Sequence, residues 1–241
     1  MIFAAGLGTR LRPLTDDRPK ALVEIGDTPI LEIVARRLVD AGADRLIINT
    51  HPFPDMIEER VRACDGFGVE VRFSHEPDAP LDTGGGLRQA VPLFRGDAPF
   101  VRHNCDVISD VDLRALYDAQ LSGDDAIATL AVLPPSEQRY LIFDDDGLCG
   151  YSPRGGGDDV LVRATRGDVM RHDFTGIHTG TPALIESLPD QRIFSIMSHY
   201  LTLASNGVRV ARYAQPGTYW NDIGTHAQLN AEARRRRERS G

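Results

Sequence analysis

The residues able to do chemistry gather first at the head of the chain, where Ala4-Ala5-Gly6-Leu7-Gly8-Thr9-Arg10 is followed by Arg12, Arg18 and Lys20. A short apolar run entering Gly-x-Gly reads as a strand feeding a phosphate-binding turn. The glycines let the backbone bend and bring its amides close to an anion, and the cations supply charge that the turn lacks. Lys20 is the only lysine of the chain, every other basic side chain being arginine, so a compact point cation stands where a planar fork is used elsewhere. Farther on, Gly84-Gly85-Gly86 offers bare backbone for a flat ligand to lie against, with a helix expected over Leu87 to Leu93. Pro99 to Asn104 reads as a central strand that delivers Asp106 to the edge where open parallel sheets bind ligands. A carboxylate facing phosphates there suits Mg²⁺, which takes hard oxygen donors and one or two protein carboxylates. Together these residues describe a site for a polyphosphate.

The run from Ala4 to Thr15, Ala-Ala-Gly-Leu-Gly-Thr-Arg-Leu-Arg-Pro-Leu-Thr, with Pro19-Lys20-Ala21-Leu22, resembles the signature of the sugar-1-phosphate nucleotidyltransferases, or NDP-sugar pyrophosphorylases. Near the other end, Trp220-Asn221-Asp222-Ile223-Gly224-Thr225 is similar to that family's Trp-x-Asp-x-Gly-Thr motif, so the likeness spans the chain. The resemblance implies a Rossmann-like, GT-A-like α/β fold and transfer of a nucleotidyl group from a nucleoside triphosphate to a sugar 1-phosphate. It places Arg10, Lys20 and Asp106 in catalysis, with Mg²⁺ held by Asp106 and Asp222. It puts Ala4, Ala5, Gly6, Gly8, Thr9, Asp82, Thr83, Gly84 and Gly85 on the nucleotide, and Asn104, Thr175, Gly176 and Asn221 on the sugar.

Two departures from the family pattern stand out. Cys105 replaces the glycine common before the aspartate, and Tyr151-Ser152-Pro153-Arg154 stands where many relatives carry Glu-Lys-Pro, so that lysine's role on the sugar phosphate is either lost or taken by an arginine such as Arg154 or Arg171. Within the family the chain is most similar to members that join UTP to N-acetylmuramic acid 1-phosphate, through its length, its Leu-acidic-Thr-Gly-Gly-Gly segment and its Phe-x-Gly-Ile-His strand. Members of the mannose-1-phosphate guanylyltransferase type and non-catalytic regulatory homologues are the alternatives. The left-handed β-helix module of longer relatives is not present in the sequence, so one activity is expected. A dinucleotide-dependent oxidoreductase fits less well, because the third glycine of its fingerprint would fall on Leu11 and no acidic residue clearly closes the second strand.

A net charge of −8 in 241 residues argues against a nucleic-acid or membrane-surface binder and requires cations to be concentrated locally for an anionic ligand. Cys64, Cys105 and Cys149 are odd in number and lack metal-ligand spacing, as in a reduced cytoplasmic protein. No apolar run reaches the ~18 residues of a membrane span. The expected partners are a nucleoside triphosphate and a sugar 1-phosphate, with no nucleic acid and no membrane, in a monomer or homodimer.

The elements that must position the site follow from periodicity. The first strand is unusually short. Thr28-Pro29 reads as a helix start, with Ile30, Ile33, Val34 and Leu38 on one face until Gly42. Strands are expected at 45–49, 69–73, 126–132, 174–178 and 208–213, and helices at 55–63, 112–120 (capped by Asp110 or Asp112), 181–188, 195–205 and from His226 onward. Arg139 to Phe143 and Leu148 to Tyr151 form a hairpin about Asp-Gly147, with a glycine-rich loop at 152–157. Alternating strands and helices give a mostly parallel mixed sheet in one domain, 1–241, whose nucleotide-binding half is 1–110 and whose sugar-binding half is 111–241.

Overall fold

The computed structural model describes residues 1–123, 125–135, 140–153 and 157–240. Its sheet is built outward from β1 (Ile2–Phe3), which pairs in parallel with β4 (Arg45–Thr50) on one side and β6 (Phe100–Asn104) on the other. Only two residues long, β1 delivers the chain directly into the glycine turn. Between them in sequence lie the small antiparallel pair β2 (Glu24–Ile25) and β3 (Thr28–Pro29) and helix α1 (Ile30–Asp40). After β4 come α2 (Pro54–Ala63) and β5 (Glu70–His75), which extends the parallel set beside β4, and then α3 (Asp82–Gln89).

Beyond β6, β7 (Val107–Ser109) leaves the main sheet, and α4 (Leu113–Ser122) leads to β8 (Ala128–Leu133). The hairpin β9 (Leu141–Asp144) and β10 (Gly147–Tyr151) follows, with β11 (Val160–Leu161) at its edge. The long strand β12 (Met170–Gly180) is antiparallel to β6, β8 and β9 and joins the hairpin to the parallel set. Helices α5 (Pro182–Glu186) and α6 (Ile196–Ser205) precede β13 (Val210–Ala214), parallel to β8; β14 (Trp220–Asp222) then pairs antiparallel with β7, and α7 (His226–Ser240) ends the described chain.

Apolar side chains fill both faces of this mixed sheet in a single α/β domain. One layer packs Ile30, Val34 and Leu38 of α1, Ile57 and Val61 of α2, Leu116 of α4 and Leu229 of α7 around Ile2 and Ile48. The other packs Leu87 of α3, Leu184 of α5 and Tyr200 and Leu203 of α6 against Ile47, Phe100 and Leu130. A central strand buried on both faces needs apolar residues in succession, and this explains the continuous Leu46-Ile47-Ile48 run.

Several local expectations are corrected. Thr28-Pro29 is not the first turn of a helix: it pairs with Glu24-Ile25, and α1 begins at Ile30 without a side-chain cap. Gly84, Gly85 and Gly86 do not precede a helix but lie within α3, which starts at Asp82 and ends at Gln89. Close packing is the reason. A Cβ on Gly84 would run into the Phe194 ring, one on Gly85 into the Arg192 carbonyl, and one on Gly86 would come 2.7 Å from Glu76 Oε1. The helix expected over 181–188 is shorter, Pro182–Glu186, and the strand expected over 174–178 is the second half of β12. Asp112, not Asp110, caps α4, accepting from the Ala115 amide at 2.9 Å. The hairpin forms at its expected turn, where Gly147 has φ 110°. Arg139 and the centre of the 152–157 loop lie outside the described residues. No helix among the described residues is long and apolar enough to cross a membrane.

Candidate active site

At the C-terminal edge of β1, β4 and β6 the strands open into a cleft of about 470 Å³. Its floor is Phe3, Ala4, Asn49, Asn104 and Asp106, and its rim is the 5–10 turn, Lys20 and the start of α3 at Asp82 and Thr83. Of the residues assigned to the nucleotide, Ala4, Ala5, Gly6, Gly8, Thr9, Asp82 and Thr83 line this cleft, while Gly84 and Gly85 do not. Those two glycines instead donate their amides to the Phe194 carbonyl, at 2.8 and 3.3 Å, and so fix α3 against the start of α6. The Thr83 hydroxyl, accepting from the Ile196 amide at 3.0 Å, completes that joint.

The turn itself is held by contacts that only glycine permits. Gly8 sits in the left-handed region (φ 63°), and a Cβ there would stand 2.9 Å from Lys20 Cβ. Thr15 donates its hydroxyl to the Gly8 carbonyl at 2.9 Å. Gly8 of the turn and Lys20 are thereby packed together twelve positions apart in sequence. Lys20 Nζ reaches across to Asp106 Oδ2 at 2.6 Å, which places the lone ammonium at the strand end where the carboxylate enters the cleft.

Asp222 is brought to the same place by strand pairing. β14 lies against β7 with Asp222 opposite Val107, and the Ile223 amide donates to the Asp106 carbonyl at 2.7 Å. The two aspartates, 116 positions apart in the chain, are therefore neighbours across two bonded strands. Gln228 from the first turns of α7 donates to Asp222 Oδ1 at 2.6 Å and accepts from the Gly224 amide at 3.2 Å and the Thr225 hydroxyl at 2.8 Å. Gly224 packs on the Arg10 guanidinium so closely that a Cβ would be 2.6 Å from Nη2. His226 Nε2 meets the Arg12 carbonyl at 2.8 Å. The two motif-bearing ends of the chain are in contact over one site.

The chemistry available there is charge neutralisation and positioning. Cys105 is buried beside Asp106; burial first, and then the neighbouring carboxylate, push its thiol up, so it remains a protonated, inert side chain. His103 is pushed down to about 3 by burial and stays neutral. Among the described residues no histidine lines the cleft.

The family model described as "Nucleotidyl transferase" matches residues 1–141. N-acetylmuramate alpha-1-phosphate uridylyltransferase of Caulobacter vibrioides is 34% identical over 97% of this chain and 95% of its own length. The chain belongs to the nucleotidyl transferase family. A second uridylyltransferase of the same name, from Neisseria meningitidis, is 32% identical over 76% of this chain and 80% of its own length. The mannose-1-phosphate guanylyltransferase catalytic subunit beta of Drosophila pseudoobscura is 36% identical over 93% of this chain, but only 58% of that protein is covered. Among solved structures, HddC from Yersinia pseudotuberculosis, complexed with GMP-PN, superposes with a TM-score of 0.74 at 22% identity over 97% of both chains, a likeness of fold.

In this nucleotidyl transferase the residues assigned to the sugar divide. Asn104 lines the cleft, and its Nδ2 lies over Gly176, whose φ of 82° and close approach to that amide leave no room for a side chain. Thr175 is buried and gives its hydroxyl to the Ala131 carbonyl at 2.8 Å, while Asn221 donates to the Gln228 carbonyl at 3.3 Å. Arg171 is paired with Asp159 at 2.8 Å, and Arg154 lies outside the described residues.

Three residues that build the candidate site were not anticipated from the sequence. Asn49, at the end of β4, accepts from the Ala4 amide at 2.7 Å and donates to Glu76 Oε1 at 2.6 Å; Glu76 Oε2 in turn accepts from the Leu81 amide at 2.7 Å. Both line the cleft and are almost fully buried, so they fix the first residue of the glycine turn relative to the start of α3. Their signal was available: polar residues closing apolar strands at the ligand-binding edge. Gln228 had no such signal.

The donor set fits a magnesium ion. Asp106 and Asp222 each have one oxygen engaged, by Lys20 and Gln228, and one with no hydrogen bond to any described residue. No group of three or more metal-ligating side chains occurs among the described residues. Two carboxylates completed by phosphate oxygens are the set that Mg²⁺ uses with nucleotides.

Proposed function

We propose that this protein joins a nucleoside triphosphate to a sugar 1-phosphate, releasing pyrophosphate and forming an NDP-sugar, with UTP and an amino sugar 1-phosphate such as N-acetylmuramic acid 1-phosphate as the favoured pair. One observation carries the reading: Arg10 and Lys20 from the start of the chain, Asp106 from its middle and Asp222 from near its end converge beside the glycine turn. The substrate preference is supported by the two uridylyltransferase relatives.

In this reading the amides of the 5–9 turn and the start of α3 hold the triphosphate and nucleoside. Arg10 binds the departing β- and γ-phosphates, which accumulate charge as the bond to the α-phosphorus breaks. Lys20, fixed by Asp106, presents its remaining N–H groups between the α-phosphate and the incoming sugar phosphate and reduces their mutual repulsion. Asp106 and Asp222 would hold Mg²⁺, which when bound supplies Lewis acidity at the α-phosphate. No general base is required, because the attacking phosphate is already ionised. Residues 1–110 serve the nucleotide and 111–241 the sugar, except that Asn104, close to the boundary, faces the sugar together with the backbone of Gly176.

The test is a matrix of nucleoside triphosphates against sugar 1-phosphates, scored for pyrophosphate. Release with UTP and N-acetylmuramic acid 1-phosphate is expected. Release restricted to GTP and mannose 1-phosphate would favour the guanylyltransferase reading, and silence across the matrix would favour a non-catalytic homologue.

A further inference from the structure

Arg102 on β6 is a buried cation with no anion bonded to it. It is 1% exposed, and its Nε and Nη2 have no hydrogen-bond partner among the described residues. The guanidinium lies over the Phe3 ring, Cζ 3.8 Å from the centroid, and Phe3 lines the cleft. The charge is therefore stacked against a side chain of the cleft wall. His178 and Tyr200, its polar neighbours, are themselves fully buried, so Arg102 meets neither solvent nor a ligand directly. Burial lowers the Arg102 pKa only to about 10, holds His178 neutral and keeps the Tyr200 hydroxyl protonated. At pH 7 the guanidinium is the one charge of the three.

A charge left buried and unpaired destabilises a fold, and stacking on one aromatic ring offsets only part of that. An apolar side chain of similar length would fill the space without the penalty. The cleft supplies a reason for the charge. Its lining holds two cations, Arg10 and Lys20, against three carboxylates, Glu76, Asp82 and Asp106, so the walls by themselves are net acidic where a triphosphate is to bind. Two of those carboxylates, Asp82 and Asp106, are the ones whose charge is felt at Arg102. The interaction is mutual, so the field of Arg102 reaches the cleft at the start of α3 and at the end of β6. Salt screens a charge inside the protein far less than one on the surface, and at on the order of 10 Å it still changes the affinity of an anion roughly tenfold.

We propose that Arg102 is a long-range electrostatic determinant of triphosphate binding, acting from behind Phe3 without touching the ligand and offsetting the carboxylates of the cleft wall. The inference rests on the nucleotide-binding part of the reading above and adds a residue to it. Stability is given up in the core and recovered as affinity at the site.

The test is calorimetric binding of UTP, GTP, their monophosphates and inorganic tripolyphosphate to the full chain with Mg²⁺ present, beside urea unfolding. Arg102→Met, which removes the charge and keeps the length, is expected to weaken the bound triphosphate and tripolyphosphate roughly tenfold and the monophosphate by less, because the loss scales with ligand charge. The urea midpoint is expected to hold or rise, since an uncompensated buried charge is gone. Tyr200→Phe alters the same buried cluster without altering charge, and its affinities are expected to match wild type. If Arg102→Met does not fold, Arg102→Gln carries the same comparison. Equal losses for triphosphate and monophosphate, a matching loss in Tyr200→Phe, or a lowered midpoint with affinities unchanged overturns the inference, while pyrophosphate release in wild type keeps the reaction class intact. A charge-scaled loss in Arg102→Met, with no pyrophosphate from any combination of nucleoside triphosphate and sugar 1-phosphate, sustains the role of Arg102 and overturns the reaction. A wild type that binds none of the five ligands overturns both.

Discussion

Gly224→Ala probes the grip on the leaving phosphates without altering a charged group. The added Cβ would stand 2.6 Å from Arg10 Nη2, 3.0 Å from Cζ and 3.1 Å from Nη1, against an optimal carbon contact of roughly 3.5 to 4 Å. The obstacle is the far end of an exposed, flexible side chain, so the guanidinium gives way by about 1 Å and the backbone does not. The Gly224 amide keeps its bond to Gln228. A hydrogen bond to a charged group contributes about 1.5–3 kcal/mol, so displacing the guanidinium from the phosphates lowers kcat/KM by roughly 10- to 150-fold. Stability measured by urea unfolding changes by less than about 1 kcal/mol. Pyrophosphate release is the assay, run as a double-mutant cycle with Arg10→Ala. If residue 224 acts through Arg10, the second substitution adds little to the first. Wild-type turnover in Gly224→Ala, or two losses that simply add, would refute the reasoning.

Four further outcomes are expected. Lys20→Ala lowers kcat/KM by about 3 kcal/mol, or a hundredfold or more, with circular dichroism unchanged, because the ammonium serves the transition state and not the core. Chelation with EDTA stops turnover and Mg²⁺ restores it, and Asp222→Asn raises the Mg²⁺ concentration needed for half-maximal rate. Asn49→Ala strips partners from the Ala4 amide and the buried Glu76 carboxylate; it costs about 2–3 kcal/mol in urea unfolding and raises the KM for the nucleotide. Burial alone would raise the Asp144 carboxyl, but the Arg163 fork at 2.6 and 2.7 Å and the amides of Arg166 and Asp146 outweigh it and hold it below the usual carboxylate range. A depressed carboxyl stabilises the fold above its unfolded pKa, about 4, and that contribution disappears as pH falls through the folded value. Asp144→Asn should therefore lower the Tm at pH 7 and flatten its decline below pH 4.

What could be read from the sequence was what local chemistry dictates. Apolar runs ending in Gly6 and Asp106 marked strand ends at a ligand edge, and Asp-Gly147 marked the hairpin, because each depends on residues a few positions apart. Thr28-Pro29 misled because a hydroxyl followed by proline has the same local preference at a helix start as in a short pair, and the contact with Glu24-Ile25 decided between them. The glycines of α3 misled for the converse reason. Glycine disfavours a helix interior by about 1 kcal/mol, yet Phe194 and Arg192, more than a hundred positions away, approach the helix so closely that nothing larger fits. Thr175 falls where the resemblance puts the sugar pocket, but its hydroxyl is committed to the Ala131 carbonyl of β8. Asn49, Glu76 and Gln228 act on backbone amides and on another carboxylate, and the geometry of such partners is set only when the strands assemble.

The docking of β14 on β7 has a consequence for synthesis on the ribosome. A nascent chain can lay down β1, β4, β5, β6 and the glycine turn long before residue 222 emerges, yet it has only half of the carboxylate pair and no Gly224 to seat the arginine. On the proposed mechanism, turnover waits on the emergence of residues 222–224, and products terminated before them would be silent, unable to consume nucleotide.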